Sequence, residues 1–240
     1  MSEYLVKIPV LKTLREAIYG LPYKQLVLFV IVNFIYLFCF EFIQGGFSNP
    51  LSILWLFAYY VFWCVFFRYY YHKKPYFFIP NILGSLIPST KMFFLVIVIS
   101  VLLVLLPYLP LLMGFDDKYL MFFENYMYQL QNAQINVLNM FALSIILMLI
   151  FPIILCRPFL AFISSVQGLN GSLKKAWKKS SGNYWQFVLL VFLLNIPCVA
   201  VHGIDKYIGC GGYLNLVFYS VFFVYYNLVF AKVYDFFYSE

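Results

Sequence analysis

Charge is scarce in this sequence: 10% of its 240 residues are Asp, Glu, Lys or Arg, against about 25% in a soluble domain. So few charges cannot cover the surface of a water-soluble body this size, so the solvent around most of the chain must be lipid. No polar stretch is long enough to make a second globular domain, which leaves a single integral membrane domain over residues 1–240. Catalytic patterns are missing as well. There is no HExxH, no phosphate-binding Gly-rich loop and no GxSxG. The two histidines, His72 and His202, fall on opposite sides of the topology derived below and cannot form one metal site. Arg157-Pro158 matches a fragment of the membrane-phosphatase signature, but its Ser-Gly-His element is absent. Asp116-Asp117 reads as a solvated loop pair. The five cysteines, Cys39, Cys64, Cys156, Cys198 and Cys210, show neither CxxC pairing nor metal-ligand spacing. Four of them lie in or beside apolar runs and read as small hydrophobes, although Cys198 and Cys210 share the outer side and a disulfide there is open. These absences predict a protein that is not an enzyme and uses no cofactor or metal. A cleavable leader is not expected either, because the first apolar run begins after Lys24, is too long for a leader core and has no small-residue cleavage site behind it.

What the chain has instead is apolar and aromatic residues, 65% and 23% of the total, with 29 Phe and 22 Tyr. Many tyrosines sit near the ends of apolar runs, where amphipathic rings settle at headgroup level. Six runs approach the ~20 residues needed to cross a bilayer: about 25–43, 50–71, 92–113, 136–157, 184–202 and 213–234. The turn signal Gly45-Gly46-Phe47-Ser48-Asn49-Pro50 separates the first two. Before them, in segment 1–23, Val10, Leu11, Leu14, Ala17, Ile18 and Leu21 share one helical face while Lys12, Thr13, Arg15 and Glu16 take the other. With Pro9 suited to a first turn, this predicts an amphipathic helix lying on the membrane surface. A second amphipathic helix, 166–183, carries an apolar stripe of Leu169, Leu173, Ala176 and Trp177. The predicted fold is therefore all-α: a polytopic transmembrane helical bundle of six spans plus two interfacial amphipathic helices.

Basic residues orient the bundle. Of the 16 Lys and Arg, all but Lys118 and Lys206 fall on one side of this topology. By the positive-inside rule that side is the cytoplasm, and it holds both termini. Two connections are long enough to have shape. Residues 75–90, apolar but punctuated by Pro75, Pro80, Gly84 and Pro88, read as an interfacial or re-entrant segment. Residues 115–134 read as an interfacial helix on the outer face.

The two amphipathic segments resemble each other. Leu14-Arg15-Glu16-Ala17-Ile18 aligns with Leu173-Lys174-Lys175-Ala176-Trp177, Val10 falls on Leu169, and the first span overlays the fifth. Both copies begin on the basic side, so the repeat is parallel, whereas an inverted repeat marks many transporters. The run Ser172-Leu173-Lys174-Lys175-Ala176-Trp177-Lys178-Lys179-Ser180-Ser181-Gly182-Asn183-Tyr184-Trp185 resembles the basic helix of the YciC-like bacterial inner-membrane proteins. It also resembles the membrane domain attached to some glycerophosphoryl diester phosphodiesterases. The resemblance covers about 30 residues and implies a membrane architecture in the bacterial inner membrane; it implies no catalytic residue.

Candidate functional residues follow from what is costly in lipid. Asn33, Asn195 and Asn227 are amides within spans, suited to hydrogen bonds across helices. Glu41 and Arg157 sit near opposite span ends, where they reach headgroups. Pro107, Pro110, Pro152, Pro158 and Pro197 lie in or beside spans as candidate kinks. Lys174, Lys175, Lys178 and Lys179 form a basic patch on a surface-lying helix, a candidate site for anionic phospholipid at ~1 kcal/mol per charge. The expected partners are membrane phospholipids, with a protein partner or a second copy as a further candidate, and no nucleic acid. Three functions fit: a non-enzymatic protein of envelope lipids or membrane homeostasis, a small-solute or lipid transporter or channel, and a membrane subunit of a larger assembly.

Overall fold

A computed structural model describes residues 7–42, 50–72, 79–105, 121, 156–169, 171–209 and 212–238. Among them all regular structure is helical: α1 (Val10–Ile18), α2 (Tyr23–Phe42), α3 (Pro50–His72), α4 (Ile79–Leu105), α5 (Arg157–Val166), α6 (Leu173–Lys179), α7 (Tyr184–Ile208) and α8 (Tyr213–Tyr238). Helix is the only open-ended element that satisfies its own backbone in lipid, and the apolar runs at 25–43, 50–71, 184–202 and 213–234 become α2, α3, α7 and α8 with ends moved by six residues or fewer. Segments of α3 (Ile53–His72), α7 (Tyr184–Asp205) and α8 (Tyr213–Tyr238) are long and apolar enough to cross a bilayer. α1 and α2 as far as Cys39 meet the same criterion only if taken together across a 93° bend, which makes the count three or four. The chain is an integral membrane protein on that evidence. The run 136–157 lies outside the described residues apart from Cys156 and Arg157, and so does the outer segment 115–134 apart from Met121.

The structure corrects three of the sequence readings. First, the interfacial or re-entrant segment read over 75–90 is not broken by its prolines: from Ile79 onward it is the start of α4, which runs unbroken to Leu105 through Pro88. Proline has no N–H to give the carbonyl four residues back and crowds it. Here that carbonyl is Gly84 O, and Arg68 Nη1 on α3 donates to it at 3.0 Å. A Cβ at Gly84 would stand 2.7 Å from the same guanidinium nitrogen, so glycine leaves the room that the arginine fills. Ser85 and Ser89, both fully buried, continue this small-residue face toward Cys64 of α3, the kind of surface that lets membrane helices approach closely. Second, 166–183 is not one helix. Gly168 and Gly182 adopt φ +80° and +82°, a left-handed backbone that ends a right-handed helix. Only Leu173–Lys179 remains helical, as α6. Third, α5 begins at Arg157 itself and buries most of its residues, where the apolar pattern predicts no element between 158 and 165.

α8 is the hub. It packs on α1, α2, α5 and α7, while α4 packs on α3 and α5. Its residues Asn227–Ala231 are buried in succession, as happens only when a helix is enclosed on all sides. Trp63–Phe67 of α3 are buried in the same way. Phe29 meets Phe66 edge-to-face at 4.6 Å, and Phe159 meets Phe230 at 5.2 Å, within the range favoured by aromatic pairs. At the other end of the bundle Tyr36 stacks between Trp55 and Tyr59 and donates to Trp55 O. α1 does more than lie on a surface. Val10, Thr13 and Ala17 are buried, and Tyr225 Oη of α8 donates to Leu14 O at 3.0 Å. Thr13, assigned to the polar face by spacing, turns inward and donates to Pro9 O.

Candidate functional site

α6 is short, and its placement comes from its caps. Ser172 is extended (φ −76°, ψ 123°) and its side chain accepts from Lys175 N at 3.5 Å, a serine N-cap. At the other end Ser180 Oγ donates to Ala176 O at 2.8 Å. Asn183, buried in the turn to α7, accepts from Ile8 N at 2.8 Å, which ties the N-terminal segment to the α6–α7 connection. Ala176 is fully buried and fixes the inward face.

With about 100° per residue, the surface of α6 divides cleanly. Ala176 and Ser180 point inward; Leu173 and Trp177 come next and are half exposed, at 47% and 46%. Lys174, Lys175 and Lys178 cover the far side and are exposed. Among the described residues no carboxylate pairs with any of the three; the ion pair present is Lys12–Glu16 at 3.7 Å. Lys179 differs from its neighbours. It stands three residues from Ala176, at the edge of the inward face, and it turns to α8, donating to Phe237 O at 3.1 Å and lying 4.4 Å from the Tyr238 ring centre. Three of the four expected lysines thus form the exposed patch, and the fourth holds the end of α8. Lys179→Met should cost about 1 kcal/mol, the combined scale of a helix C-terminal contact and a cation–π pair, whereas Lys174→Met should cost close to nothing. Thermal unfolding of the two variants side by side checks this, and equal midpoints would refute the division of roles.

The remaining expected residues separate in the same way. Asn33 is fully buried on α2 and donates from Nδ2 to Ser220 O of α8 at 3.0 Å, a hydrogen bond across helices. Asn227 is buried but donates to Phe223 O of its own helix at 2.7 Å. Asn195 is exposed and donates to Val191 O at 2.8 Å. Asn33 and Asn195, near-equivalent in the repeat, therefore do different jobs. The aligned surface helices agree in part: Ala17 and Ala176 are both fully buried and Ile18 and Trp177 both exposed, but Val10 is buried where Leu169 is 52% exposed. Arg157 does not reach for headgroups; it is buried, with its guanidinium 4.2 Å from the Trp177 ring centre, and so docks α6 onto α5. Cys198 is a free thiol, and Cys210 lies outside the described residues.

Sequence reasoning passed over three features. Asp205 of α7 is buried and accepts from Gly212 N, Leu214 N and Asn215 Nδ2 at 3.1, 3.2 and 2.9 Å; the signal was an acid a few residues before a Gly-Gly turn. Asp235 of α8 lies within hydrogen-bonding reach of Tyr70 and Tyr71 on α3; nothing in the local sequence marks that pairing. Finally, a cleft of about 170 Å³ opens between α4 and α5 beside the start of α6. Met92, Leu95, Ala161 and Phe162 give it apolar walls, and Lys91 and Ser165 stand among its lining residues.

Chemically, the arrangement offers cations and an apolar flank on one short helix beside an apolar cleft. Among the described residues, no three of His, Cys, Asp and Glu gather where they could hold a metal ion. No protein-family model, no curated protein and no solved structure matches this chain.

Proposed function

We propose that this chain is a non-enzymatic membrane protein that engages the anionic leaflet through α6, in the service of envelope lipids or membrane homeostasis. The six apolar runs would make six crossings, with both ends on the basic side, which is the cytoplasm by the positive-inside rule. The resemblance of 172–185 to YciC-like proteins favours a bacterial inner membrane. One observation carries the reading: Lys174, Lys175 and Lys178 are exposed and, among the described residues, without a carboxylate partner, on a helix whose adjoining residues Leu173 and Trp177 are also exposed. Cations beside apolar side chains on one helix are what binds a helix into an anionic interface. Each such lysine contributes up to ~1 kcal/mol there.

The test is retention of lipid by the full chain after gentle extraction, read by native mass spectrometry. The wild-type protein should keep phosphatidylglycerol in preference to phosphatidylethanolamine. The triple variant K174Q/K175Q/K178Q should lose that preference by at least about tenfold. Its unfolding midpoint should barely move, because exposed substitutions change stability by ~0.5 kcal/mol or less. Undiminished preference in the triple variant would overturn the reading.

A further inference from the structure

The cleft between α4 and α5 has a shape and a chemistry that a flat basic surface lacks. Its walls come from Pro88, Met92 and Leu95 on one helix and Pro158, Ala161 and Phe162 on the other. Lys91 is exposed, and Ser165 is half-buried on α5. Among the described residues no carboxylate pairs with Lys91. The turn leading to α6 closes one end. Gly171 is pressed so tightly on α5 that a Cβ there would meet Ala161 O at 2.5 Å and the Ser165 Cβ at 2.7 Å. That contact brings Leu173 into the lining, and the next two residues are Lys174 and Lys175. On another side of α4, Ile87 and Phe94 are exposed at 69% and 62%, so the cleft lies beside an exposed apolar face.

We infer that this cleft binds one anionic phospholipid of the surrounding leaflet, with an acyl chain against Leu95, Ala161 and Phe162 and the phosphate at Lys91. The inference deepens the proposed function, on which it rests: it turns a general attraction to the leaflet into a site for a single molecule. An apolar cleft in a bilayer protein does not hold water well, and acyl chains are the apolar molecules that surround it. Charge complementarity then selects the head, because a cation among otherwise apolar walls favours an anionic lipid over a zwitterionic one.

The experiment uses the purified full chain and phosphatidylglycerol carrying a photoreactive group near the carbonyl end of one acyl chain. Labelling should saturate at one lipid per chain and map to peptides containing Leu95 and Phe162. Ala161→Phe fills the cleft and should lower that labelling about tenfold. Lys91→Gln changes an exposed side chain, leaves the core untouched, and should lower it about fivefold. The second variant keeps the test decisive should the first fail to fold. Glycerophosphoglycerol, the head without chains, should not compete. Three results would each overturn the inference: label spread evenly over the exposed faces of α4 and α7, undiminished cleft labelling in both variants, or palmitate competing as well as the phospholipid. The lysine reading fails separately. If K174Q/K175Q/K178Q abolishes retention while the cleft variants do not, the surface stands and the cleft falls; the reverse result keeps the cleft and removes the surface.

Discussion

Asp205→Ala should destabilise the protein by about 3 kcal/mol. The carboxylate gathers three donors at the start of α8: Gly212 N, Leu214 N and Asn215 Nδ2. The first backbone N–H groups of a helix have no partner inside it, and a side-chain cap supplies about 0.5–2 kcal/mol. Here the carboxylate itself is buried and serves three partly buried donors at once, so its removal costs more than the loss of a single cap, at ~1–3 kcal/mol for a group left unsatisfied. The same bonds pull the end of α7 onto the start of α8, so the loss is felt by the whole hairpin. For a chain of this size the unfolding midpoint should fall by roughly 6–12 °C. Cys64 and Cys156 are free, fully buried thiols, and a thiol-reactive dye reports their exposure on heating. Asp205→Asn keeps one acceptor oxygen and should lose about half as much. A midpoint for Asp205→Ala equal to that of the wild type would show that the α7–α8 turn is held by something else.

The second large effect concerns the proline inside α4. Arg68→Met removes the donor that serves Gly84 O, in a helix where Pro88 cannot supply the usual backbone N–H. A partly buried acceptor left unsatisfied, with the loss of a charged hydrogen bond, predicts a cost of about 2 kcal/mol. The decisive comparison is a double-mutant cycle. Pro88→Ala restores a backbone N–H to the helix, so Gly84 O no longer depends on the arginine. In that background Arg68→Met should cost at least about 1 kcal/mol less than it does alone. Additive losses would mean that the arginine acts through other contacts and that the link between proline and carbonyl is not energetic. The same geometry explains why the sequence misled at this point. Pro80, Gly84 and Pro88 read locally as helix breakers, and the compensating guanidinium comes from sixteen residues upstream on another helix.

The basic patch was legible in outline for a similar reason and illegible in detail. Four lysines at helical spacing announce a charged face. The fate of Lys179 depends on Phe237 and Tyr238, which lie 58 and 59 residues away in sequence and arrive only when α8 docks. Arg157 is the mirror case: a basic residue at the end of an apolar run is expected to reach for headgroups, but the Trp177 ring takes it instead. The cleft had no sequence signal at all, since Ala161 and Phe162 look like any other apolar pair until Gly171 folds back against them.

What this sequence determined alone was which segments leave water. Long apolar runs with few charges must become helices in lipid, because every backbone polar group has to be satisfied within its own segment. The placing of α2, α3, α7 and α8 followed from that local rule. What only the tertiary structure decided was whether an apolar side chain faces protein or lipid. Val10 is buried against the bundle while its neighbour Leu11 is 74% exposed, and Phe29 is fully buried while Phe38, on the same helix, is not. In water those two environments differ in polarity and leave a pattern in the residue types; in a bilayer both are apolar, so the choice is made by packing between helices and by the few polar groups that find partners across them.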